Sequence, residues 1–419
     1  MEKLTNDIRE NVSYLQGLLK DCDDIVFREI EIGGKNKIKI IIIFVDGLAN
    51  KEFLSDATIQ ALFWKDDLNA FKTEESYSNL FDKILKEAIA SAEIKKEDKI
   101  DEIINNLLSG DTILLMEGVD RCLVIGTRDG PSRSIDEPKT ESAIRGPRDG
   151  FTEILKTNTV LIRRRIKDTR FKIKLKKVGR RSQTAIAVLY IDDIVDKNLL
   201  KEVYKRLDDI DIDAVLDSSI LENLIEDNYL SPFPQVESTE RPDSIAASLY
   251  EGRVGLIVDG SPFVLLVPAT IGTLLQSTED YYTRWHEASF VRGIRLISVF
   301  LAVLSPALYI SITAYHPGLL PTKLIYYLAA SRMNVPFPSV IEATIMEITM
   351  ELLREAGTRI SGPIGTTVGI VGGLIIGQAA VEAGIVSPLM IIIVAVTSIA
   401  TFTIPSYELS AALRLIKFS

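Results

Sequence analysis

Three stretches of this chain, residues 296–322, 360–381 and 383–407, contain no Asp, Glu, Lys or Arg. A helix needs about 20 predominantly apolar residues to cross roughly 30 Å of hydrocarbon, so each stretch is long enough to span a membrane. Residues 290–419 therefore read as an all-α, multi-span transmembrane domain. The first stretch follows Arg284, Arg292 and Arg295, which places its start on the cytoplasmic side, and Arg414 and Lys417 after the third place that end inside as well. Three spans cannot return a chain to the side on which it started. A fourth crossing is expected between residues 319 and 358, from LLPTKLIYYLAA or from the helix that follows it.

That helix carries an unusual load. IEATIMEITMELLREAGTR (341–359) holds Glu342, Glu347, Glu351 and Glu355 with Arg354 and Arg359, and a charge at a bilayer centre costs about 2.5 kcal/mol or more. A helical wheel puts Thr344, Glu347, Glu351, Glu355 and Thr358 in one narrow arc, with Ile341, Ile345, Ile348 and Leu352 opposite. Two readings follow. Several copies in a ring would turn these stripes toward a water-filled axis that attracts monovalent cations. Alternatively the helix is interfacial or re-entrant, its glutamates paired with Arg332, Arg354 and Arg359. Pro336 and Pro338 set up its start, with Ser339 as the expected cap. In the next stretch Gly365, Gly369, Gly373 and Gly377 recur every four residues, a small-xxx-small spacing that predicts close helix packing.

The rest of the chain differs in charge. Of 106 charged side chains, residues 290–419 hold only 14, eight basic and six acidic; the first 289 residues hold 40 basic and 52 acidic. An acidic N-terminal portion is a poor binder of nucleic acid, which needs clustered Lys and Arg. The N-terminus lacks an apolar core long enough for a signal peptide, so this portion is expected to stay cytoplasmic. Cys22 and Cys122 show no C-x-x-C spacing and read as reduced structural residues. His286 and His316 are too few for a histidine metal site or triad. IGGKNK and GPIGTT both lack the P-loop frame, and neither G-x-S-x-G nor H-E-x-x-H occurs. No enzyme, metal or cofactor is expected.

Two modules of one α/β plan are legible in the acidic portion. IKIIIIFV (38–45) reads as a buried strand, and TILLMEGVDRCLVIGT (112–127) as a hairpin. The order returns with TAIAVLYIDDI (184–194), an amphipathic helix over 198–210, and the hairpin RVGLIVDGSPFVLLVP (253–268) turning at Asp259-Gly260. The boundaries are a helical segment at 1–37, module 1 at 38–128, a Pro/Gly-rich and basic connector at 129–180 and module 2 at 181–285. Within the connector, 157–177 is basic and reads as a strand and helix facing solvent or lipid headgroups. Pro232, Pro234 and Pro242 fix a surface turn that Glu240 and Arg241 hold in place; the alternative makes this turn a contact between subunits that transmits gating.

The blocks SPFPQVESTERPD (231–243), IRGPRDGFTEILKTNTVLIRRRIK (144–167), EDYYTRW (279–285), YHPGLLPT (315–322), NVPFP (334–338), ELLREAGTRI (351–360) and IGQAAVEAGIVSP (376–388) resemble the A subunit of the GerA-type spore germinant receptors of endospore-forming bacteria. The resemblance covers nearly the whole chain from about residue 38. It implies a multi-pass protein of the spore inner membrane that works with a transporter-like B subunit, which senses the nutrient, and a lipoprotein C subunit. It further implies A subunits that form a homo-oligomeric, nutrient-gated channel for monovalent cations. A non-conducting scaffold that couples the sensor to a separate channel is the other reading. Subunit-contact candidates on this basis are Pro232, Phe233, Pro234, Gln235, Glu240, Arg241, Pro242 and Asp243, with Arg145, Gly146 and Pro147. The family continues past ALRLIKF into a further span and polar tail, so this sequence reads as shortened at its C-terminus.

Overall fold

The computed structural model describes residues 2–32, 38–50, 81, 93–128, 137–138, 141, 145–359 and 363–418. They form two compact units, Met1–Asp227 with Gln235–Ala269, and Asn228–Pro234 with Thr270–Ser419.

In the N-terminal unit, α1 (Ile8–Leu18) leads to β1 (Ile25–Ile32), which pairs along its whole length with β2 (Ile38–Val45), from Ile25 opposite Val45 to Ile32 opposite Ile38. Next come β3 (Ile94–Glu97), α2 (Ile100–Leu108), β4 (Thr112–Met116) and β5 (Cys122–Ile125), giving an antiparallel sheet in the order β1-β2-β4-β5-β3. The plan then repeats. α3 (Leu155–Arg163), β6 (Phe171–Val178), β7 (Thr184–Ile191), α4 (Lys197–Asp209), α5 (Ser218–Ile225), β8 (Glu237–Thr239), α6 (Pro242–Tyr250), β9 (Val254–Val258) and β10 (Val264–Val267) build a second antiparallel sheet in the order β6-β7-β9-β10-β8. Each sheet has a helix before its first strand and another between its third and fourth.

The elements run across the expected module boundaries. Residues 1–37 contain a strand as well as a helix, and 129–180 contains α3 and β6, where a helix and a strand were expected over 157–177. Both β1 and β6 lie at sheet edges, where charge suppresses unwanted pairing. Alternating charges in IVFREIEI and FKIKLKKV therefore conceal the apolar face of each strand.

Burial follows the strand period of two. Ile186, Val188, Leu256 and Val258 pack under α4 and α5, while Ala187, Leu189 and Ile257 pack under α3 and α6. In module 1, Ile41, Ile43 and Val45 pack with α1 and with Ile100, Ile103 and Leu107 of α2. Both cysteines are free and buried, and burial pushes the Cys22 thiol up and the Cys122 thiol to about 12. Neither is a reactive thiol at neutral pH.

The modules are fastened at the edge of the second sheet. Asp23 donates its N–H to Ile173 O at 2.9 Å and Ile173 returns one to Asp21 O at 3.2 Å, so residues 21–23 cover the free edge of β6. Beneath this seam the guanidinium of Arg163 is fully buried. Its Nε and Nη2 each lie 2.8 Å from the Asp24 carboxylate, Nη1 donates to Phe171 O at 3.1 Å, and the group sits 4.5 Å over the Phe171 ring. The basic segment 157–177 is thus part of the fold. Arg165, Lys174 and Lys176 pair with Asp149, Asp21 and Asp208.

The C-terminal unit is helical. α7 (Trp285–Ile310) continues through a π-turn to Tyr315, and among the described residues it is the one helix long and apolar enough to cross a membrane, 31 residues at mean hydropathy 2.1. Asp280, buried just before it, accepts from Arg292 at 3.0 Å and Arg295 at 2.7 Å. Then follow α8 (Thr322–Arg332), α9 (Ser339–Arg359), α10 (Pro363–Glu382), α11 (Pro388–Phe402) and α12 (Tyr407–Ile416). The stretch 383–407, expected as a full span, yields only the 15-residue α11, about 22 Å long. Pro388 opens that helix, and a turn before Pro405 closes it.

Candidate functional site

The charged helix of the sequence is α9. Its first bond runs from Glu342 N–H to Pro338 O at 3.1 Å, so Ser339, the expected cap, is instead the first helical residue. Ile341, Ile345, Ile348 and Leu352 face outward, while Ala343 and Met346 pack with Tyr309, Val386, Met390 and Val394. The carboxylates at 342 and 347 lie on the buried side.

Glu342 is fully buried. Its Oε1 accepts the backbone N–H of Ser387 at 2.5 Å, and Ser387 Oγ caps α11 by accepting from Met390 N–H. A carboxylate at a helix N-terminus meets unpaired N–H groups and the positive end of the helix dipole. Tyr309 Oη lies 3.1 Å from Ser387 Oγ, and Arg332 Nη2 approaches Glu342 Oε2 to 3.5 Å. Residues from α7, α8 and α9 thereby converge on the start of α11.

Two turns along, Glu347 and Glu351 meet cations from the same chain. Lys417 Nζ lies 2.5 Å from Glu347 Oε2 and 3.6 Å from Glu351 Oε1; Arg414 reaches Glu351 at 3.2 Å and Arg354 reaches it at 3.3 Å. Side-chain exposure is only 7% for Glu347 and 5% for Lys417. Glu347 Oε1 and Arg414 Nε are buried without a hydrogen-bond partner. The sequence reading used Arg414 and Lys417 only as markers of topology and missed them as counter-charges. Arg414 lies in the last turn of α12 and Lys417 just beyond it, and no local spacing links them to Glu347 and Glu351 on α9.

The other members of the proposed stripe are more open. Thr344 is exposed and bonds back to Val340 O, and Glu355 is exposed. The side chain of Thr358 and the surroundings of Gly365 and Gly369 lie outside the described residues. Gly377 is in ordinary contact with Ile391, and Gly373 faces open space. Among the described residues the close approach occurs at Gly372, where an added Cβ would come within 2.7 Å of Leu353 Cδ2 on α9.

The subunit-contact candidates divide between buried and open positions. Arg241 is buried in the N-terminal unit, where it pairs with Asp243 at 2.9 Å and donates to the carbonyls of Glu141 and Pro147, each at 3.2 Å. Glu240 O accepts from Phe151 N–H, Gln235 Oε1 accepts from Asp227 N–H, and Pro242 begins α6. These groups hold the turn and the preceding connector in place. Thr239 Oγ1 donates to Glu141 Oε2 at 2.6 Å, and burial raises the Glu141 carboxyl to about 7. Pro232, Phe233, Arg145 and Gly146 are exposed, and Pro234 and Pro147 are half-buried.

The described part of α9 thus presents carboxylates paired with cationic side chains of the same chain. Comparison with known proteins agrees with the fold. A family model described as Bacillus/Clostridium GerA spore germination protein matches residues 13–419. Spore germination protein GerLA of Bacillus cereus is 40% identical over 416 residues, 99% of this chain and 83% of that protein. Spore germination protein KA of Bacillus subtilis is 40% identical over 415 residues, 99% of this chain and 75% of that protein. An uncharacterized membrane protein of Bacillus subtilis, YfkQ, is 39% identical over 99% of this chain and 79% of its own length. Among solved structures, the crystallised N-terminal domain of the A subunit of the Bacillus megaterium spore germinant receptor GerK3 matches at TM-score 0.50 and 30% identity, covering 64% of this chain and 97% of that domain. The two antiparallel sheets are thus those of a germinant-receptor N-terminal domain, and the chain belongs to the GerA spore germination protein family.

Proposed function

We propose that this chain is the A subunit of a nutrient-responsive germinant receptor, a multi-pass protein of the spore inner membrane whose N-terminal unit lies on the cytoplasmic side. It works with a nutrient-sensing B subunit and a lipoprotein C subunit. In this reading its copies form a ring in which α9 lines a path for monovalent cations, packed among the apolar helices α7, α10 and the shorter α11. The observation that carries the proposal is similarity along 99% of the chain to spore germination proteins, joined to a carboxylate-bearing helix set between apolar ones. The protein performs no covalent chemistry.

One observation favours a second reading, a non-conducting scaffold between sensor and channel. Within one chain Glu347 and Glu351 already have cations of their own. The discriminating measurement is current across planar bilayers containing the complex with its B and C subunits under asymmetric KCl. Cation-selective openings on addition of nutrient are expected, and selectivity for potassium over chloride should fall in the Glu347→Gln, Glu351→Gln variant. A silent bilayer holding the intact complex and nutrient would leave the scaffold.

A further inference from the structure

α12 packs against α7 and α11, and its end pairs with α9 in crossed order: Glu347 meets Lys417, and Glu351 meets Arg414 and, at 3.6 Å, Lys417. With Arg354 included, two carboxylates are met by three cations. A stripe in that state has no net negative charge with which to draw cations from water. The pairing is also incompletely satisfied. Glu347 Oε1 and Arg414 Nε are both buried without a partner, and a buried charge that lacks part of its hydrogen bonding recovers less of its desolvation cost.

We propose that Lys417 and Arg414 are the residues that set the charge, and hence the ion preference, of the α9 stripe. With α12 docked, the tethered ammonium and guanidinium occupy Glu347 and Glu351 in place of a free monovalent cation. With α12 withdrawn, those carboxylates become available to potassium or sodium ions. The proposal rests on the reading of α9 as the ion-pathway helix, but its central statement concerns local charge and is measurable without any current.

Thr344 is exposed on the stripe and takes no part in the pairs, so a Thr344→Cys substitution in the full chain makes a probe that leaves them intact. Cys22 and Cys122 are buried and do not compete. The quantity to measure is the ratio of the modification rates of the introduced thiol by a cationic and by a neutral methanethiosulfonate reagent, in membranes. Adding Lys417→Gln should raise this ratio about fivefold, the electrostatic effect of one nearby unit charge at intermediate dielectric; Arg414→Gln should raise it less, and Lys417→Arg should leave it unchanged. A merely structural role for Lys417 would change both rates together and keep the ratio constant, which would overturn the proposal. Should Lys417→Gln fail to reach the membrane, Arg414→Gln decides alone, by the same criterion. The bilayer recordings fail or succeed independently: a raised ratio without current retains the charge assignment and removes the channel, whereas current with a constant ratio does the reverse.

Discussion

Two buried ion pairs, one in each unit, show how differently the same chemistry can be used. Arg163 and Asp24 in the N-terminal unit are joined by two 2.8 Å hydrogen bonds, and the third guanidinium nitrogen donates to the carbonyls of Phe171 and Asp168. Glu347 and Lys417 in the C-terminal unit are about equally shielded from solvent, yet one carboxylate oxygen is left over and the neighbouring Arg414 keeps an unpaired Nε. The first pair meets the condition under which burial of charge is tolerable, full hydrogen bonding in fixed geometry. The second does not. A fully bonded pair suits a seam that stays closed, and an underbonded one suits a contact that opens.

The largest expected effect comes from breaking the first pair. Arg163→Leu leaves Asp24 buried and uncompensated and should cost the N-terminal unit about 3–5 kcal/mol. Arg163→Leu with Asp24→Asn should recover part of that loss, because the stranded charge is gone. Urea-dependent pulse proteolysis of the full chain in detergent reads both, since fragments of the two units separate on a gel. Lys417→Gln should cost distinctly less by the same assay, because Glu347 is incompletely bonded to begin with. Equal losses would end the contrast between the two pairs.

These pairs also mark where sequence reading succeeds and where it stops. Continuous apolar runs such as IKIIIIFV and TAIAVLYI announced β2 and β7, because central strands buried on both faces need no alternation. Of their edge partners, β1 was hidden by its own charges, whereas β6 was legible only as the strand of a solvated basic segment that also held the α3 helix. Arg163 looked like one more surface cation in IRRRIKD; only the tertiary fold brings Asp24 to it across 139 residues. The carboxylates of α9 were visible because charge is rare among apolar spans. Their partners were misread because Arg414 and Lys417 lie 63 and 70 residues away, and no local periodicity reports that distance. In α10 the glycine row was visible too, but the tightest contact among the described residues, at Gly372 against Leu353, depends on the rotation of the helix about its axis.

A third carboxyl sharpens the comparison through pH. Glu141 takes its direct side-chain hydrogen bond from the neutral Thr239 hydroxyl, and burial raises its carboxyl from 4.5 to about 7. The folded chain therefore holds a proton that the unfolded chain has released between those two values. Stability from this group is fully present below about 4.5 and is lost as pH rises through about 7, at up to about 1.4 kcal/mol per pH unit. The denaturation midpoint of the N-terminal unit should fall across that window, and Glu141→Gln should flatten the profile. An unchanged slope in that variant would show that another group carries the dependence.

The smallest effect is expected at Glu342, whose two oxygens do different work. Oε1 accepts the Ser387 N–H at the start of α11, while Oε2 only approaches Arg332 and has no hydrogen-bond partner. Glu342→Gln keeps an acceptor at the first position and removes the charge. Arg332 is about one-fifth exposed, so water replaces much of what it loses, and the cost should stay near 1 kcal/mol or below. Glu342→Ala leaves the start of α11 without that acceptor and should cost about 1–2 kcal/mol. If the Gln variant is as damaged as the Ala variant, measured by thermal unfolding in detergent, the ion pair rather than the cap holds α9 to α11. Glu342 would then belong with Arg163 as a closed fastener. If Gln is nearly silent, α9 is pinned at one end by a neutral-tolerant cap and held by charge where Glu347 and Glu351 meet Lys417 and Arg414.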